Sequence, residues 1–81
     1  MMDVSLLVLK SGEYLVSLVE ELEMEPRVHL VTPYTVSGKA KLSLSRWPEY
    51  MVDEHILLTS DSLLTVGEPT EAVRAAYLKK V

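Results

Sequence analysis

From Val4 to Val66 the apolar residues come in short runs with a strand-like period, and a turn signal stops every run before it can make a useful helix. The first run, about Val4 to Leu9, is apolar on both faces apart from Ser5, and Lys10-Ser11-Gly12-Glu13 turns it. A second strand is expected from Tyr14 to about Leu22. There Tyr14, Val16 and Leu18 share one face, while Leu15, Ser17 and Val19 share the other. Neither face is polar before Glu20, so this strand bends inside a small barrel or meets another subunit. The acidic stretch from Glu20 to Glu25 ends at Pro26, which breaks the pairing. Val28 to Thr32 is β-branched and apolar, a third strand, with Pro33 forcing a bulge before Tyr34-Thr35-Val36. After the Ser37-Gly38-Lys39 turn, residues 39–50 are the least regular stretch. Leu42 and Leu44 alternate like a strand there, until Trp47-Pro48 interrupts. A strand over Met51 to Thr59, a Ser60-Asp61 turn and a fifth strand over Ser62 to Val66 complete the series.

Beyond Gly67 the period changes to that of a helix. Pro69 suits a helix entrance and Thr70 an N-cap. Glu71 lies at the positive end, and Lys79 and Lys80 lie at the negative end. Val73, Ala76, Tyr77 and Val81 form the apolar stripe of this helix over residues 70–80. So short a helix is marginal alone, and its stripe is docking surface rather than a membrane anchor.

One domain spanning residues 1–81 follows, with strands over about 4–66. A chain of 81 residues buries a thin core, and domains of this size commonly add disulfides, a metal or oligomerisation. Cysteine is absent, which removes disulfides and thiolate metal sites together. His29 and His55 fall on separate expected strands with no ligand spacing between them, so neither a metal site nor a cofactor is expected. Oligomerisation is the remaining supplement. No apolar run is long enough to span a bilayer, and no basic segment leads into one at the start, so a cytoplasmic location is expected. The net charge of −4 argues against coating duplex nucleic acid by charge alone, but leaves room for a local site. His55 beside Asp53 and Glu54 has no nucleophile or metal partner, so the chain reads as a non-enzyme with no catalytic residue.

Five short strands in so few residues suggest a small barrel. Leu7-Val8-Leu9-Lys10-Ser11-Gly12-Glu13 resembles the opening of the first Sm motif, an alternating strand ending at a Lys-x-Gly turn. Leu18, Leu22, Glu23, Val28 and Leu30 continue the motif, and Leu58-Thr59-Ser60-Asp61-Ser62-Leu63-Leu64 resembles the second Sm motif. Over residues 4–32 and 51–66 the chain thus resembles the Sm-like (LSm) family, in particular its compact phage (cyanophage) members, whose host cytoplasm would then be the location. The resemblance implies an all-β, Sm-like/SH3-like small barrel: a strongly bent five-stranded antiparallel sheet, here with one short C-terminal helix. It also implies a homo-oligomeric ring of about five to seven copies joined edge to edge, which satisfies open strand edges and closes by rotation.

The family's RNA-binding members read a base with two loops lining the pore. The matching positions are Glu23 for the usual acid, Glu25 for the base-stacking residue and Arg27 for the usual asparagine. Thr59-Ser60, followed by Asp61, stands for the arginine-glycine pair. Glu25 cannot stack as a ring or guanidinium would, and Thr59 lacks the planar cation. Ser17 and Ser60 also replace glycines that favour sharp bends. Arg27 beside Glu23 and Glu25 reads first as an ion pair, and His29 as a half-buried strand histidine. The acidic run reads as a solvated face rather than a divalent-cation site. Lys39, Lys41, Arg46 and Trp47 form the one basic and aromatic stretch, either a single-strand contact or, favoured here, an extension whose Trp47 and Tyr50 bury against a neighbour. The expectation is a self-assembled ring with single-stranded RNA as the candidate ligand of a degenerate pore. The alternative is a phage structural or protein-assembly ring without nucleic acid.

Overall fold

The computed structural model describes residues 3–22, 26–38 and 40–81. Among them the strands are β1 (Asp3–Leu9), β2 (Tyr14–Glu21), β3 (Arg27–Ser37), β4 (Ser43–Arg46), β5 (His55–Thr59) and β6 (Leu63–Gly67). A single 3-10 turn (Ser60–Ser62) joins β5 to β6, and helix α1 (Glu71–Lys80) follows. The chain is therefore mostly antiparallel sheet with one C-terminal helix, in the order β4-β3-β2-β1-β6, with β5 also paired to β3. No pairing between β5 and β6 closes the sheet among the described residues.

β3 explains the strand count. Its first half, Arg27 to Val31, pairs with β5, and its second half, Tyr34 to Ser37, pairs with β4, while β2 runs along its other side. β4 and β5 are thus two pieces of one sheet row. The strand expected over Met51 to Thr59 starts only at His55. Residues 47–54 leave the ladder, held at their base by Trp47 N–H donating to Pro33 O (3.1 Å) and Thr32 N–H donating to Glu54 O (2.7 Å). Arg46 Nη2 donates to Asp53 O at 3.1 Å across the same excursion.

The break in β4/β5 faces a bulge in β3. The β2–β3 register shifts between Val16 and Leu18, and Thr32 takes φ +50°, a conformation costly for a β-branched residue. Pro33, with no N–H to donate, interrupts the ladder here, as its sequence position anticipated, and pairing resumes at Tyr34. Ser17, fully buried on β2 opposite the bulge, donates to Val31 O (3.0 Å) and lies within bonding distance of Leu18 O (2.9 Å). The strand thus bends with a serine where the resembled family has glycine, because the bulge and this hydroxyl supply the irregularity.

Both sheet faces are apolar. On one, Leu7, Leu9, Leu15, Val19, Val28 and Leu30 form a cluster onto which Ile56 and Leu58 of β5 and Leu63 and Val66 of β6 all pack. Strands at opposite edges of the sheet reach the same cluster only if the sheet curls strongly. On the other face Val4 and Val16 pack with Val73 and Tyr77 of α1, rimmed by Leu6, Leu18, Tyr34, Val36, Leu42 and Leu44. Two-faced apolar strands are accounted for within one chain: one face is the inside of the curl, and the helix covers part of the other. Thr70 caps α1, its Oγ1 accepting from Val73 N–H at 3.4 Å. Val73 and Tyr77 are the buried part of the stripe, whereas Val81 is exposed.

Tyr77 does more than fill space. Its hydroxyl accepts from Leu18 N–H (3.1 Å) and lies within donating reach of Val31 O and Thr32 O (both 3.0 Å) and of Thr32 Oγ1 (3.2 Å). The helix therefore plugs the β3 bulge with a polar tip. Its ring meets Tyr34 edge-on at 6.0 Å.

Candidate functional site

The β2–β3 connection and the turn after β5 meet at one end of the sheet. Arg27 pairs with Thr59 in the β3–β5 ladder, and Ser60 is bonded through both N–H (2.9 Å) and Oγ (3.0 Å) to Pro26 O. Arg27, Thr59 and Ser60, far apart in sequence, are thereby neighbours. Arg27 and Ser60 line a cleft of about 280 Å³ with Glu21, Leu22, Val28, Leu63 and Val66. Asp61 sits in the same turn but lines a different cleft of about 390 Å³, with Leu9, Lys10, Ser11, Trp47, Leu58 and Ser62. Glu23 and Glu25, the other two residues of this group, lie outside the described residues, as does Lys39.

The basic and aromatic stretch is spread out. Lys41 is exposed, Arg46 is half-buried and braces the excursion through Asp53, and Trp47 packs on the inner apolar cluster. The Arg46 Nε is buried with no hydrogen-bond partner among the described residues. Tyr50, expected with Trp47 to bury against a neighbouring subunit, is fully exposed within the single chain with φ +66°, and Met51 and Val52 beside it are exposed too.

Sequence reasoning missed a second cluster. Glu20 and His29 are direct cross-strand partners in the β2–β3 register, and His29 and Val31 oppose Leu57 and His55 in the β3–β5 register. His29 and His55 are therefore diagonal neighbours on one face, 26 residues apart in sequence. Their rings stack with centroids 5.1 Å apart, and His29 Nε2 lies 2.9 Å from His55 Nδ1. Glu20 Oε1 lies 3.4 Å from His29 Nδ1. These histidines and two leucines, Leu22 and Leu57, line a mainly apolar cleft of about 360 Å³ beyond the area covered by α1. The period of two already put His29 with Val31, and His55 with Leu57, on single faces; the β3–β5 register, which joins the pairs, is not written in any local pattern.

The backbone carbonyls of Asp53 and Glu54 accept from Arg46 and Thr32, and the His55 ring lies against His29. Among the described residues no three or more His, Asp or Glu side chains gather as a metal-ligand set, and no helix is long and apolar enough to cross a membrane.

Residues 2–81 match the family of unknown function DUF6561, and the chain belongs to that family. No curated protein matches the chain significantly.

Proposed function

We propose that this member of a family of unknown function is a non-enzymatic, self-assembling subunit of Sm-like type, whose working form is a ring built edge to edge. The observation that carries the reading is the open edges of the sheet: β6 at one end, and β5 with β4 in the same row at the other, each have a strand neighbour on one side only among the described residues. Proteins usually protect such edges with lysine, proline or a covering element. Neither His55-Ile56-Leu57-Leu58-Thr59 nor Leu63-Leu64-Thr65-Val66-Gly67 contains lysine or proline, and each leaves a leucine exposed, Leu57 at 55% and Leu64 at 65%. β5 and β6 are of equal length, five residues each, which suits one to pair with the other on a second copy. The strong curl of the sheet and the short turn between its edges are also what an Sm-like small barrel requires.

Native mass spectrometry at micromolar protomer concentration is the test. The expected result is one discrete multiple of the 9.1 kDa chain, converted to monomer by Leu57→Lys with Leu64→Lys. A monomer alone for the unsubstituted chain refutes the ring.

Single-stranded RNA is the ligand the ring would take, at the end where Arg27 and Ser60 share a cleft. Fluorescence polarisation with U-rich and A-rich strands is expected to show saturable, salt-sensitive binding that Arg27→Gln weakens. A ring that binds neither strand at low salt favours the protein-assembly reading.

A further inference from the structure

We propose that Glu20, His29 and His55 form a binding site for one first-row transition-metal cation of the Zn²⁺, Ni²⁺ or Cu²⁺ type, with the two imidazoles as its protein ligands.

The protonation pattern follows from the contacts. A carboxylate only accepts, so Glu20 Oε1 places the proton of neutral His29 on Nδ1 and leaves its Nε2 as a lone pair. That lone pair is 2.9 Å from His55 Nδ1, which must then carry the donated hydrogen. The shared hydrogen lies on the line between the two nitrogens, and a metal bound to both would sit about 1.4 Å to one side of that line. Metal–imidazole bonds of about 2.0–2.1 Å meeting near a right angle put their nitrogens about 2.9 Å apart. The nitrogen spacing thus suits a cis pair in a square or octahedral sphere, and the two rings must turn so that lone pairs now facing each other along the hydrogen bond converge on the metal. A tetrahedral sphere also needs the nitrogens a few tenths of an ångström further apart. On binding, His55 gives up its Nδ1 hydrogen and takes one on the outward Nε2, so neither ring changes charge.

Glu20 acts as the positioning group. A carboxylate on the far nitrogen of a ligating histidine sets the tautomer, holds the ring and raises its basicity. The three residues stand on three adjacent strands, β2, β3 and β5, so the sheet fixes their spacing. His29 is 23% exposed and Glu20 44%, which leaves the site open to an entering ion. Two protein ligands leave the other coordination positions open toward the cleft bounded by Leu22 and Leu57, where water or a small anion completes the sphere. Imidazole ligands favour zinc, nickel and copper over magnesium and calcium, which take oxygen. Both ligands and Glu20 come from one chain, although Leu57 at the mouth of the cleft also stands on the edge proposed for assembly.

Isothermal titration of the untagged, metal-free chain with Zn²⁺, Ni²⁺ and Cu²⁺ at neutral pH tests the proposal, with Mg²⁺ as control. One site per chain is expected for the transition metals and none for Mg²⁺. His55→Ala, at an exposed position where folding is not at risk, is expected to weaken binding about tenfold or more, and Glu20→Gln by a smaller factor. In ¹⁵N spectra of the histidine side chains, metal is expected to shift His29 Nε2 and His55 Nδ1. Absence of saturable binding, or binding that His55→Ala leaves unchanged, overturns the site. So does a shift confined to nitrogens other than these two.

Discussion

Replacing Tyr77 by phenylalanine removes one oxygen atom and tests whether the helix holds the sheet through the β3 bulge. Tyr77 has no solvent exposure, so water cannot take the place of the lost hydroxyl. Leu18 N–H loses the acceptor at 3.1 Å, and Thr32 O loses its donor at 3.0 Å. Val31 O is spared because Ser17 Oγ still donates to it at 3.0 Å. An orphaned buried polar group costs about 1–3 kcal/mol, more for a donor than for a carbonyl that keeps other options, so about 2 kcal/mol is expected. A domain of this length has roughly 4–12 kcal/mol in total. The corresponding fall in Tm is about 8–16 °C. Urea unfolding followed by far-ultraviolet circular dichroism and by Trp47 fluorescence measures it, at fixed protomer concentration because assembly contributes to apparent stability. The two probes watch the helix and the opposite face of the sheet, and their transitions are expected to coincide with m unchanged. Tyr77→Ala is expected to lose about 3–5 kcal/mol, the added part being the ring's packing. A loss below about 0.5 kcal/mol for Tyr77→Phe would refute the reasoning, since an exposed, unimportant hydroxyl costs no more than that.

Thr70→Ala removes the acceptor for Val73 N–H, and because that bond is long at 3.4 Å the loss by urea unfolding is expected near the low end for N-caps, about 0.5–1 kcal/mol. Gly38→Ala places a methyl group against the Lys41 carbonyl at a residue with φ +87°, so thermal unfolding is expected to show a destabilisation of more than about 1 kcal/mol. The same change at Gly67, where an added methyl meets nothing within 4 Å and φ is not positive, serves as the control.

Much of the architecture could be read along the chain because it depends on local chemistry. Short runs of Val and Leu became β1, β2, β3 and β6, and Thr70 with Pro69 opened the helix where the period changed. Pro33 marked the bulge, since a residue without an N–H interrupts any ladder. The strand over Met51 to Thr59 was misjudged at its start: Met51 and Val52 are apolar, but the chain there spans the break opposite Thr32 and has no ladder partner. The residues named as candidate nucleic-acid contacts do not gather in one place. Arg27, Thr59 and Ser60 meet at one end, whereas Trp47 turns its ring to the inner cluster and Arg46 reaches a backbone carbonyl.

The sequence by itself determined that this chain makes short strands apolar on both sides, ends in one capped helix, and carries no cysteine to staple them. Only the tertiary structure decided which faces are filled from within. The curl of the sheet buries one, and Val73 and Tyr77 cover part of the other. It also decided that two histidines 26 residues apart share a hydrogen bond, and that a tyrosine 45 residues beyond Thr32 satisfies the bulge. The physical reason is the same in each case. Periodicity sets which way a side chain points, but register between strands sets what it meets, and register is a property of the whole packed sheet.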